Sequence, residues 1–317
     1  MNLRLETHDV SIIIPGSSIA SEALNAVHVQ FRVNSVPSAE AASVESRSLR
    51  QYPDLASTGT ILSLELDAIG ENVRTSVHQF DGPITVEWTL PHQKLNSIQP
   101  DYAGVYYVDG QNAQYVGGEF GGGKVTFTTD HFSYYAVLEM HKDFADLKGH
   151  WAETYVSKLA AKHIVNGVDE EHFAPDRPIT RADLITMAVR SLGFTEPEYA
   201  EVFSDVSKDK YYAGFVSKAA EIGLAEGYNG RFRPEDSLTR EEAVTVLMRL
   251  ADYRNKAWPG ADTADFADRG EISEWAREHV KRAKAAGIVE GRGDNRFEPK
   301  ANVTRSELAK MLYLTIK

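Results

Sequence analysis

A threefold internal repeat governs what the second half of this 317-residue chain can fold into. Three short blocks recur in the same order. Phe144-Ala145-Asp146 returns as Phe203-Ser204-Asp205 and Phe266-Ala267-Asp268. Phe173-Ala174-Pro175 returns as Phe232-Arg233-Pro234 and Phe297-Glu298-Pro299. Ile179-Thr180-Arg181-Ala182-Asp183 returns as Leu238-Thr239-Arg240-Glu241-Glu242 and Val303-Thr304-Arg305-Ser306-Glu307, with the arginines 59 and then 65 residues apart. In this last block a threonine stands three positions before an acid, the pattern of a capping box. The hydroxyl accepts from the third helical amide and the acid reaches back to the cap. Behind the second cap, Val244, Leu247, Met248 and Leu250 fall on one helical face. Ahead of each cap an earlier helix is predicted, in the first copy from Trp151, Tyr155 and Leu159 with Ala152, Val156 and Ala160. It ends near Gly223 or Gly287, where a left-handed residue is wanted, and His163 holds that register in the first copy. One such helix pair cannot bury its own apolar face, so the three must pack together.

Residues 1–140 carry the period of strands instead. Val27–Val33 alternates apolar and polar residues, as do Ile84–Trp88, Val125–Phe127 and Tyr135–Leu138. Asp81-Gly82-Pro83, Asp109-Gly110 and Gly121-Gly122-Gly123 read as turns, and the Ser- and Ala-rich stretch 35–58 as a long loop or frayed helix. The expected fold class is α+β multidomain: a β-sandwich-like domain over 1–140, then a mostly α-helical bundle of repeats over 144–200, 203–260 and 266–317.

Composition narrows the chemistry. Cysteine is absent, which removes disulfides, thiolate nucleophiles and cysteine zinc sites, and leans towards an exported bacterial protein. The net charge is −12: residues 1–140 hold 7 basic and 16 acidic residues, a net of −9, and residues 141–317 hold 27 and 30. Such a surface disfavours nucleic acid, and an anionic partner would be met in the second half. No apolar run approaches the ~18 residues of a membrane span. The stretch Ser11–Pro15 is too short and lacks the basic flank of a signal peptide, so an exported form is expected to have lost a leader or to be the tail of something longer. No phosphate-cradling loop, His-x-x-x-His pair or triad is evident, and no cofactor is implied. Asp262, Asp265 and Asp268 do not fit an EF-hand loop, and Arg292-Gly293-Asp294 reads as a turn.

The repeated blocks resemble the S-layer homology module of bacterial surface proteins, over roughly residues 144–317. The resemblance rests on the opening Asp, a Trp-Ala pair, a Gly-Ile/Leu-x-x-Gly segment, Phe-x-Pro and the closing Thr-Arg-Ala-Glu-like motif. It implies a pseudo-threefold bundle on a Gram-positive cell surface. Grooves between modules would hold the pyruvylated, N-acetylated mannosamine of a secondary cell-wall polymer, with self-association into an S-layer as a further possibility. Carried over by position, the groove residues are Arg181, Arg240 and Arg305, then Asp146, Asp205 and Asp268. Trp151, Tyr212 and Trp275, with Gly167, Gly227 and Gly291, complete the set.

The residue chemistry agrees with this. A pyruvate ketal carries a carboxylate that an arginine fork can bind bidentately, and these arginines stand at the first helical position, where free amides also favour anions. The glycines would admit sugar close to the backbone, Trp would stack, and Asp would accept from hydroxyls. The competing readings are internal ion pairs for the arginines, core packing for the tryptophans, helix caps for the aspartates and simple turns for the glycines. Two rival functions stand beside an anchor. One is a surface enzyme or self-processing protein, with cleavage between Phe132 and Ser133 assisted by His131; the other is a lattice-forming S-layer protein.

Overall fold

The computed structural model describes residues 2–18, 28–34, 38–69, 74–256 and 265–317. The chain divides into two compact units, Met1–Lys142 and Asp143–Lys317.

The first unit is built from two antiparallel sheets. One orders its strands β1 (Leu3–Glu6), β2 (Val10–Ile14), β6 (Gln79–Thr89), β10 (Lys124–His131) and β9 (Glu119–Gly121). The other orders β3 (His28–Asn34), β4 (Leu55–Ile69), β11 (Tyr134–Met140), β7 (Ala103–Val108) and β8 (Ala113–Gly117), with β5 (Arg74–Ser76) also paired to β4. Alternate residues of both sheets share one core: Ile12, Ile84, Val86 and Trp88 from the first, Leu62, Leu64, Val105 and Val137 from the second. Helix α1 (Ala39–Ser48), capped by the Ser38 hydroxyl on the Ala41 amide, lays Ala41 and Val44 on the outer face of the second sheet against Ile61, Tyr106 and Leu138. That sheet is therefore buried on both faces along β7 and β11, so Tyr135–Leu138 does not alternate as expected but is buried at every position.

Two sequence expectations are revised here. The Ser- and Ala-rich stretch is neither loop nor frayed: its described part forms α1 and then enters β4 at Leu55. Asp81-Gly82-Pro83 is not a turn but lies inside β6. Opposite it the β10 register jumps from Thr129–Ile84 to His131–Gln79, and this irregularity accommodates a proline that has no amide for the ladder. The other two turn signals do turn the chain, with Gly110, Gly122 and Gly123 all at positive φ.

The second unit contains six α-helices among its described residues, two per repeat. First helices are α2 (Glu153–Ala161), α4 (Ala213–Glu221) and α6 (Glu274–Ala285); second helices are α3 (Arg181–Arg190), α5 (Arg240–Tyr253) and α7 (Arg305–Ile316). Both halves of the capping box form at Thr180/Asp183, Thr239/Glu242 and Thr304/Glu307. Each first helix stops at a left-handed residue, Gly223 (φ 75°), Gly287 (φ 69°) or His163 (φ 54°). The next amide then closes back: Ile164 to the Leu159 carbonyl, Leu224 to Ala219 and Ile288 to Ala283, at 3.0, 2.8 and 2.9 Å.

The helices do not pair within a repeat. Each second helix packs on the first helix of the following repeat, α3 on α4 and α5 on α6, and α7 returns to α2. At the centre, Ile179, Leu238 and Val303 are fully buried and joined by a closed cycle of backbone bonds. Ile179 donates to Val303 (2.9 Å), Val303 to Leu238 (2.9 Å) and Leu238 to Ile179 (3.1 Å). Truncation at this hub, Leu238→Ala, is expected to cost about 2–5 kcal/mol. Hydrogen exchange should show faster opening in α3, α5 and α7 together, with the β unit unaffected.

Candidate functional site

At each joint the arginine of one repeat reaches into the next. Arg181 Nε donates to the Phe232 carbonyl (3.0 Å), Arg240 Nε to Phe297 (2.8 Å) and Arg305 Nε to Phe173 (2.8 Å). Their Nη2 groups donate to the carbonyls of Glu226, Glu290 and Asn166, each just ahead of the glycine of the Gly segment, at 3.4, 3.3 and 2.8 Å. Each guanidinium also lies over the ring of the same phenylalanine, 4.9, 5.2 and 4.5 Å from its centroid. The capping acid of the next repeat completes two of the joints. Glu242 Oε1 stands 3.5 Å from Arg181 Nη1, and Glu307 Oε1 stands 3.2 Å from Arg240 Nη1. In the third joint the acid is Asp183, one methylene shorter. Its Oδ1 accepts the Tyr211 hydroxyl (2.6 Å), and no ion pair links it to Arg305 among the described residues. Burial lowers the pKa of all three arginines, which nevertheless stay charged at any ordinary pH.

The expectation of free amides at the start of these helices is overturned. The Arg181, Arg240 and Arg305 amides donate to the carbonyls of Asp236, Ala301 and Arg177, and the amides after them to Pro234, Pro299 and Pro175. The third amide of each helix belongs to the capping threonine, so no anion site remains on the backbone there.

The aspartates sit elsewhere. Asp146 accepts from the amides of Phe173 and Ala174 (2.9 and 2.7 Å), Asp205 from Phe232 and Arg233 (both 2.8 Å) and Asp268 from Phe297 and Glu298 (both 2.7 Å). The second residue of each pair stands before proline at positive φ: Ala174 58°, Arg233 59° and Glu298 53°. Such backbone is disfavoured, and the two-pronged carboxylate holds it in place. The glycines are packing positions too. A Cβ at Gly167 or Gly227 would lie 2.6 or 2.4 Å from the Phe144 or Phe203 ring, so each lets its loop close on the opening phenylalanine of its own repeat.

The aromatic register differs from the expected one. Counting back five residues from the buried Val156, Val216 and Val280 gives Trp151, Tyr211 and Trp275, which are 54%, 62% and 54% exposed. Tyr212 is 3% exposed and donates from its hydroxyl to Glu235 (2.8 Å). The loop from Asp to aromatic lengthens by one residue with each repeat, which shifted the sequence alignment onto Tyr212.

Two of the joints open as grooves. That between the first and second repeats, about 330 Å³, is lined by Arg181, Gly227, Tyr228, Glu242, Arg249 and, from the third repeat, Trp275. That between the second and third, about 230 Å³, is lined by Arg240, Gly291, Arg292, Glu307, Lys310 and, from the first repeat, Trp151. Each groove thus draws on all three repeats. Sequence reasoning did not place Tyr228, Arg249 or Lys310 in a groove and read Arg292 only as part of a turn, and the double duty of Glu242 and Glu307 as cap and counter-ion was equally hidden.

The remaining candidates stay apart. His131 Nδ1 lies 2.9 Å from Asp130 and 3.4 Å from the Thr129 hydroxyl, so the ring turns to these two rather than to Ser133. Phe132 is buried in the sandwich core and its amide donates to His78. Arg292 of the Arg-Gly-Asp tripeptide pairs with Glu298 and Glu307, both at 2.6 Å. Among the described residues no acid and histidine group could hold a metal ion, and Asp262 lies outside them.

This geometry defines a class: a helical tandem-repeat module closed on itself by three like joints. The second unit belongs to the S-layer homology domain family, whose profile matches residues 143–185, 202–244 and 265–309. Domains of this family serve cell-surface proteins as wall-anchoring modules. An amylopullulanase of Thermoanaerobacterium thermosulfurigenes is 34% identical over 315 residues, 96% of this chain and 16% of its own length. Exoglucanase XynX of Acetivibrio thermocellus is 35% identical over 181 residues, 56% of this chain and 16% of its own. The surface-layer 125 kDa protein of Lysinibacillus sphaericus is 28% identical over 179 residues, 55% and 15%. The chain therefore spans less than a fifth of the length of these relatives. Among the described residues no helix is long and apolar enough to cross a membrane.

The aspartate clamps carry a pH signature. Desolvation pushes Asp146, Asp205 and Asp268 upwards, yet the amide hydrogen bonds outweigh it and hold all three below the ordinary aspartate range. The folded state then binds fewer protons than the unfolded one, so this stability is complete above the ordinary aspartate pKa and drains away as pH falls through the depressed values. Asp268→Asn should lower the thermal midpoint of the helical unit at neutral pH and flatten its fall in acid. An unchanged acid limb would remove the clamp from the account.

Proposed function

We propose that this protein is held non-covalently at the bacterial cell surface by a pyruvylated secondary cell-wall polysaccharide, bound at the inter-repeat joints of Arg181, Arg240 and Arg305. The observation that carries this reading is the recurrence, at two joints, of a guanidinium on the wall of a groove beside an exposed indole: Arg181 with Trp275 and Arg240 with Trp151. A guanidinium has five N–H donors, of which roughly three serve the carbonyls and the capping glutamate. The rest remain for a carboxylate, and the indole offers an apolar face for a sugar ring. The aspartates, the glycines and Tyr212 support the groove from behind in this reading, and Tyr211 takes the ligand-facing place.

The role is attachment rather than catalysis, and the site is extracellular. The amylopullulanase match runs through both units, which supports reading the β-sandwich as part of the same delivery segment that surface glycoside hydrolases carry. A lattice protein anchored in the same way is the second reading, favoured by the likeness to the surface-layer protein, and ordered sheets on removal of denaturant would reveal it.

The test is co-sedimentation of the full chain with purified pyruvylated walls, before and after mild acid removes the ketal. Binding should be lost with the ketal. Arg181→Lys, Arg240→Lys and Arg305→Lys keep the charge but lose the fork, and combined they should weaken binding by about 10–100-fold. Full binding by the triple variant, folded by circular dichroism, would refute the assignment.

A further inference from the structure

We infer that the three joints are unequal, and that the groove between the first and second repeats is the principal glycan site, with Tyr228 as a sugar-facing residue peculiar to it. This rests on the wall-glycan reading above and deepens it. The ligand class is a pyranoside bearing a carboxylate, long enough to touch both an aromatic face and the guanidinium.

Four observations converge. Tyr228 is 76% exposed, and the 54% exposed Trp275 lines the same groove, so of the two grooves this one has two exposed aromatic faces among the described residues and the other has Trp151. At the positions equivalent to Tyr228 the first repeat has Val168 and the third has Arg292. Tyr228 is also presented rigidly. Its amide and carbonyl exchange hydrogen bonds with Arg231 (2.9 and 3.1 Å) across Asn229 and Gly230, both at positive φ, the geometry of a tight hairpin turn. An anchored phenol loses little freedom when a sugar stacks on it.

Charge accessibility gives the same order. The Arg181 side chain keeps 15% of its surface and stands 3.5 Å from its carboxylate, whereas that of Arg240 keeps 6% and Arg305 is buried. In the second joint Glu307 is gripped by both Arg240 and Arg292, and in the third the Tyr211 hydroxyl is fastened to Asp183. The second joint's carboxylate is thus spent internally and the third joint's guanidinium is buried, while the first presents its cation and its aromatic faces together.

The experiment uses the full chain and the same pyruvylated walls. Tyr228→Ala should weaken binding about tenfold. Tyr228→Phe, which keeps the face, and Val168→Ala, at the equivalent place in the first repeat, should stay within about twofold. A soluble pyruvylated oligosaccharide released from those walls should change the tryptophan fluorescence of Trp151→Phe but not of Trp275→Phe. Tyr228→Ala binding like wild type, with ketal dependence intact, would overturn this inference and leave the wall reading standing. A fluorescence change that follows Trp151 instead would overturn the ranking of the grooves. Loss of ketal dependence in the wild type would remove both.

Discussion

The helical unit hangs on a reciprocal exchange at its centre. Three backbone amides donate around a closed loop, Ile179 to Val303, Val303 to Leu238 and Leu238 to Ile179, in a setting from which water is excluded. Buried amides without partners are costly, so none of the three central segments can hold its place without the other two. The caps, arginines and proline turns are all referred to this hub. Each second helix begins two residues beyond it, and each helix start is tied by its first two amides to the next repeat. The repeats are therefore an interlocked set rather than a stack, and the helix pairs form between repeats because each chain segment leaves the hub pointing at its neighbour.

The same parts that fasten the joints also furnish the grooves. Glu242 and Glu307 cap their own helices with one oxygen and face the preceding arginine with the other. Replacing glutamate by aspartate in the first repeat breaks this double use: Asp183 still caps, but its second oxygen goes to Tyr211. One methylene thus gives the third joint a different character. Departures from symmetry of this size are where function separates among otherwise like units, because the scaffold hydrogen bonds are kept while side chains at the rim change.

Much of this architecture was legible in the residues, for definite reasons. Capping boxes have a fixed spacing, so Thr180, Thr239 and Thr304 announced their helices, and the recurring blocks announced the repeat. His163 takes the left-handed stop that glycine takes at Gly223 and Gly287. Other features resisted reading because they depend on tertiary partners. The aspartate clamp joins residues 27 to 30 positions apart, and only the co-occurrence of Asp with Phe-x-Pro hinted at it. Tyr211 was hidden behind Tyr212 because the preceding loop changes length. In the β unit, Asp81-Gly82-Pro83 carries every local mark of a turn, yet the irregular register opposite it lets a strand run through.

The pairing of α7 with α2 makes the first and last helices of the module neighbours, and Arg305 reaches back to Asn166 across 139 positions. A contact so distant in sequence forms late in folding, after the chain entropy of a long loop has been given up. The clasp joins the two ends of the module, so fraying at either end removes it. A ligand that grips it would act as a thermodynamic lock on the whole module, raising the free energy of opening in step with its own occupancy. Tension applied through a tethered partner would be resisted more strongly by the occupied ring than by the empty one.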